Sequence, residues 1–85
     1  MSENTVLFVD DEVSVLRAIK RAVMDEKFVS FFANSGEEAL TVLGKNKIDV
    51  IVTDMRMPGM DGLKLLKIVK EKYPKTVRVF FFDNF

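Results

Sequence analysis

Thr5-Val-Leu-Phe-Val9, followed at once by Asp10-Asp11, decides the fold. An apolar run this short, rich in branched and aromatic residues, suits a strand covered on both faces. After the two acids, Val13, Leu16, Ile19, Ala22 and Val23 recur at helical spacing, with Arg17, Lys20 and Arg21 on the other side. That pattern predicts an amphipathic helix whose apolar stripe faces the strand.

The same strand-then-helix unit repeats along the chain. Phe28 to Ala33 returns to strand character, and Ser35-Gly-Glu-Glu38 matches a capping box that opens a second helix. Ala39, Leu40, Val42 and Leu43 form its apolar side, and Gly44 is the expected C-terminal stop. Ile48 to Thr53 is the third strand and, like the first, ends on an aspartate, Asp54. The loop Met55-Arg-Met-Pro-Gly-Met60 contains the turn signal Pro58-Gly59. Asp61 can cap a third helix with Leu63, Leu66 and Val69 inward and Lys64, Lys67, Lys70 and Glu71 outward, ended by Pro74. Val77 to Phe82 makes a fourth strand. Strands alternating with helices imply a parallel sheet with right-handed crossovers, a three-layer α/β architecture in a single domain over residues 1–85.

Composition narrows the chemistry. The 85 residues are 48% hydrophobic and 31% charged, which is globular rather than disordered. Thirteen basic and thirteen acidic residues cancel, leaving no electrostatic case for nucleic acid or an anionic membrane. With neither cysteine nor histidine, disulfides, thiolate metal sites and imidazole catalysis are excluded. A metal held by these side chains is held by oxygen, which points to a hard cation such as magnesium. The N-terminus lacks the pattern of a signal peptide and no apolar run approaches a membrane span, so a cytoplasmic chain is expected.

In open parallel sheets, ligands bind beyond the carboxyl ends of the strands, where strand order reverses. If the first and third strands are neighbours, Asp10, Asp11 and Asp54 meet there. Like charges about 4 Å apart repel by about 4 kcal/mol at an effective dielectric near 20, so three carboxylates together call for a cation. The plainer alternative is that such acids cap helices, with Asp11 capping the first. Two strand-terminal acidic sites within one repeating unit, the second followed by a Pro-Gly turn, favour the site.

Val6-Leu-Phe-Val-Asp-Asp-Glu12 and Asp54-Met-Arg-Met-Pro-Gly-Met-Asp-Gly62 resemble the hallmark motifs of bacterial two-component response-regulator receiver domains. The resemblance runs from about Thr5 to Val79 and implies a flavodoxin-like (CheY-like) sheet of strand order 2-1-3-4. It also implies that Asp54 accepts a phosphoryl group from a sensor histidine kinase or a phosphotransfer protein. Asp11 would ligate Mg²⁺ directly and Asp10 mainly through water, with an Asp54 oxygen and the backbone carbonyl of Arg56 completing the protein ligands. Such a domain signals by modifying its own aspartate rather than by turning over a substrate. A Mg²⁺-dependent phosphohydrolase is a weaker fit, since the acid it needs two residues after its nucleophile is matched only loosely by Glu12.

The chain departs from that family in its last residues. Receivers have five strands and five helices, and this sequence reads as ending after the fourth strand. The Ser or Thr expected at the end of that strand falls at Phe82, and the lysine of a fifth strand has no counterpart. Weak or absent phosphorylation-dependent switching is therefore expected, with Mg²⁺ binding partly retained. An uncovered fourth strand with Phe80, Phe81, Phe82 and Phe85 suits association with another chain. The expectation is a homodimer through that strand and the Phe-rich tail, with domain swapping as one route. The alternative reading is a dimerising interaction module without phosphorylation activity. Met55, Met57 and Met60 suit irregular packing better than a partner surface.

Overall fold

A computed structural model describes residues 4–81. Four strands alternate with three helices: β1 (Thr5–Val9), α1 (Val13–Val23), β2 (Val29–Ala33), α2 (Gly36–Lys45), β3 (Val50–Asp54), α3 (Gly62–Lys72) and β4 (Val77–Phe81). All pairs are parallel and the order is β2-β1-β3-β4, as the resemblance implied. Because β1 and β3 are neighbours, the order reverses between them. Their register pairs Val9 with Thr53, so Asp10 and Asp54 leave the sheet at the same level.

The two faces of the sheet are unequally covered. Leu7, Val9, Ile51 and Thr53 point to one face and are fully buried, and Ala39 and Leu43 of α2 and Leu65, Leu66 and Val69 of α3 are buried as well. On the other face Phe8 stacks on Phe32, ring centres 5.6 Å apart, and leans on Phe28 at 6.4 Å. There α1 contributes one buried side chain, Leu16. Val13 is 47% exposed and Ala22 is also exposed, so the stripe expected on α1 is narrower than its sequence suggests. Among the described residues a single helix lies over that face, and it cannot bury its whole apolar stripe.

Helix boundaries follow local chemistry. Ser35 Oγ accepts the Glu38 N–H at 3.0 Å, as a capping box requires, while Glu38 returns its carboxylate to the N–H of Asn34 at 2.8 Å. Asp61 caps α3 by accepting the Lys64 N–H at 2.8 Å. Gly44 does not stop α2: the helix runs on to Lys45, and Asn46 closes it with its backbone N–H and its Nδ2, each 3.0 Å from the Val42 carbonyl. Leu63 is 57% exposed rather than inward. The buried stripe of α3 is Gly62, Leu65, Leu66 and Val69, the i, i+3, i+4, i+7 pattern, and residue 63 falls outside it. The second and third strands begin at Val29 and Val50, slightly later than the apolar runs containing them. Phe82 and Phe85 lie outside the described residues.

Candidate functional site

Asp10, Asp11 and Asp54 converge at the carboxyl end of the sheet. One carboxylate oxygen from each lies within 4.8 Å of the others. Asp54 is the last residue of β3, and Asp10 follows β1 directly, so the parallel pairing of two central strands creates the cluster. Asp10 is 1% exposed, Asp54 is half-buried and Asp11 is exposed, which orders the three from the floor of the site to its mouth.

The carboxylates receive little help from donors. Asp10 Oδ1 accepts the Glu12 N–H at 2.8 Å, and Asp54 Oδ1 lies 3.4 Å from the Arg56 N–H. Both donors are backbone groups. Burial raises the Asp10 carboxyl above its ordinary range, the Glu12 N–H partly opposes this, and the charges of Asp54, Asp11 and Glu12 add to the rise. The capping reading of Asp11 finds no support, since the N-cap of α1 is Glu12 and no side chain makes the capping bond. Three carboxylate oxygens within 4.8 Å of one another, one of them from the buried Asp10, form a donor set suited to a hard divalent ion. The cluster therefore fits magnesium in ligand type.

The loop beyond Asp54 is held from several sides. Met57 is buried in the core at 7% exposure, so for this methionine the packing role is met. Gly59 takes φ +73°, the left-handed conformation that a Pro-Gly turn places on glycine. Gly62 donates its N–H to the Met55 carbonyl at 3.0 Å. A Cβ at Gly62 would collide with the Asp54 carbonyl oxygen, so α3 starts this close to the aspartate only with glycine there. The Thr53 hydroxyl, fully buried, donates to the same carbonyl at 3.0 Å. Sequence reasoning missed Thr53 and Gly62; the Asp-Gly pair after the turn was the available signal. Beside the loop, a groove of about 580 Å³ is lined by Met55, Arg56, Met57, Pro58, Asp61 and Leu63. The Arg56 side chain is exposed on its wall.

Comparison with known proteins agrees with this geometry. The model of the response regulator receiver domain matches residues 6–83. The hydrogenase transcriptional regulatory protein HoxA of Cupriavidus necator is 41% identical over 75 residues, 88% of this chain and 15% of that protein. The DNA-binding transcriptional regulator NtrC of Proteus hauseri is 39% identical over 87% of this chain and 16% of its own length. The chain thus spans about one-sixth of these curated relatives. Among solved structures, the signal receiver domain of an HD domain-containing protein from Pseudomonas fluorescens superimposes with a TM-score of 0.91 at 25% identity, over 93% of this chain and 63% of that one. Vibrio cholerae chemotaxis protein CheY4 gives 0.87 at 31% identity, over 93% and 68%. A match spanning both aspartate motifs, on a CheY-like sheet that brings them together, places this chain in the response regulator receiver domain family of two-component systems.

Proposed function

We propose that Asp54 is the phosphoryl acceptor of this domain and that Asp10, Asp11, an Asp54 oxygen and the Arg56 backbone carbonyl hold Mg²⁺ beside it. The observation that carries the reading is the gathering of three carboxylates within 4.8 Å at the switch point of the sheet. The donor is a phosphohistidine on a sensor kinase or a phosphotransfer protein. An Asp54 carboxylate oxygen forms the new O–P bond as the N–P bond of the donor breaks, and the released imidazole takes up a proton. When bound, Mg²⁺ would offset the negative charge shared by acceptor and phosphoryl oxygens. Asp10 supplies a fixed charge at the floor, and Asp11 stands at the mouth where an ion enters. The product adds about 1.5 to 2 negative charges at residue 54, which is the signal. The domain acts in the cytoplasm; no helix of the described residues is long and apolar enough to cross a membrane.

Phe82, at the position expected for the family's switch hydroxyl, has no donor for a phosphoryl oxygen, so we expect modification without full switching. Titration with Mg²⁺ and beryllofluoride, followed by amide shifts at Asp54, tests the acceptor reading. Metal-dependent shifts that spread from Asp54 support it; silence at Asp54 with both reagents present sinks it.

A second reading draws on β4, where Val77 is 57% and Val79 39% exposed. Among the described residues β4 is an edge of the sheet, and an apolar edge suits a homodimer, in which the domain would serve as a dimerising interaction module. Light scattering at micromolar concentration separates the two: a stable monomer removes the module.

A further inference from the structure

The β3–α3 loop leaves directly from Asp54 and carries Arg56, so whatever fixes the loop also fixes two members of the proposed metal site. Met57 anchors it in the core and Gly62 closes it on Met55. A third anchor lies on a different element. Met60 packs against Gly36, the first residue of α2. A Cβ built on Gly36 would stand 2.6 Å from Met60 Sδ and 3.0 Å from both its Cβ and its Cγ. The sulfur could swing aside. The Met60 Cβ is bonded to the loop backbone, so a methyl group at residue 36 presses on the loop and asks it to give by a few tenths of an ångström.

Backbone conformation does not account for glycine here. Gly59 alone among the described glycines has positive φ, and Gly36 lies within a regular helix. Gly36 opens α2 without a conformation that requires glycine, so a contact that a side chain would obstruct is the reason the structure offers for it. The socket for Met60 is that contact.

We propose that Met60 is a positioning residue for the acidic cluster: seated on Gly36, it ties the β3–α3 loop to the N-terminus of α2 and so sets the placement of Asp54 and the Arg56 carbonyl. The inference rests on Asp54 and its neighbours being the metal site. It makes α2 a lever on that site, since a shift of the helix start moves the loop through one hard contact.

The test uses four variants of the whole chain, Gly36→Ala, Met60→Ala, Gly36→Ala with Met60→Ala, and Met60→Leu. Each is measured for Mg²⁺ dissociation constant, metal-free melting temperature, and amide shifts of Asp54 and Arg56. Gly36→Ala and Met60→Ala should each weaken Mg²⁺ binding on the order of tenfold, as loss of a ligand-orienting contact does. The double variant should bind more tightly than Gly36→Ala alone, because the vacated socket admits the methyl group. Met60→Leu should stay within about twofold of the parent. Dissociation constants that stay put while melting temperatures fall would overturn the proposal and leave the contact as packing only. Should Gly36→Ala fail to fold, Met60→Ala against Met60→Leu decides on the same readout. If the parent chain itself ignores Mg²⁺, the acceptor reading fails. The metal-free amide shifts then still decide the positioning: displacement in Gly36→Ala that the double variant reverses upholds it, and unmoved resonances end it.

Discussion

The two ends of β3 carry the same side chain in opposite circumstances. Asp49, just before the strand, is held on every side: its Oδ2 accepts the Thr5 N–H at 2.8 Å and the Thr5 hydroxyl at 3.1 Å. Its own N–H reaches the Thr5 carbonyl at 3.0 Å, and its carbonyl accepts the Val77 N–H at 2.8 Å. One residue thus pins β1, β3 and β4 at their N-terminal ends. Asp54, at the other end, faces two more carboxylates and one long backbone contact. A carboxylate supplied with donors is complete, and one supplied with like charges is left uncompensated, which is the ground for the proposed metal site. The difference lies in the neighbours that the sheet brings, since the residue is identical.

The sharpest way to break this contrast is to remove the proposed acceptor. Asp54→Asn should abolish covalent phosphorylation by acetyl phosphate and Mg²⁺, read as the loss of the phosphoryl mass adduct. A persistent adduct would move the acceptor elsewhere. Next, Asp10→Asn should weaken Mg²⁺ binding on the order of 10- to 100-fold. It keeps an oxygen for the Glu12 N–H while deleting a buried charge, so the metal-free protein should be no less stable in urea. Asp49→Ala should do the reverse, costing about 2 kcal/mol of stability through the lost bonds from Thr5 and leaving Mg²⁺ affinity unchanged. If it weakened the metal site as well, the two ends would be coupled and the comparison would fail.

The smallest effect expected is on pH. The Asp10 carboxyl titrates above 3.8 in the folded chain, so between 3.8 and its raised value the native state binds more protons than the unfolded state. Stability therefore falls as pH rises through that window. Urea unfolding in metal-free buffer should show the parent losing stability relative to Asp10→Asn as pH goes from the acid side towards neutral. Added Mg²⁺ should narrow that gap by binding the native state.

The core was legible in the sequence in part. Leu66 and Val69 are inward as the helical period requires, whereas Leu63 is exposed and Leu65 fully buried. Leu63 and Leu65 stand two residues apart on different sides of the helix, and their order of burial is settled only when the helix has a neighbour to turn towards. Gly44 carried the composition of a helix stop but sits one residue short of the end, because Asn46 satisfies the carbonyl that a left-handed glycine would otherwise have served. Asp10, Asp11 and Asp54 were legible because each ends an apolar run, a local signal. Thr53, Gly62 and the seat of Met60 on Gly36 were not, because each matters only through contact with another segment.

By itself, the amino-acid order determined that strands and helices alternate, that each central strand stops on an acid, and that metal chemistry here means oxygen ligands. These follow from short-range rules: side-chain period, capping and the identity of the donor atoms. That Asp10, rather than Asp11, forms the floor of the site, and that Asp49 is pinned while Asp54 is not, were decided by the tertiary structure alone. Burial and like-charge proximity depend on which strands become neighbours and in what register. Asp54 is thus set apart from Asp49 by the company that the parallel sheet gives it.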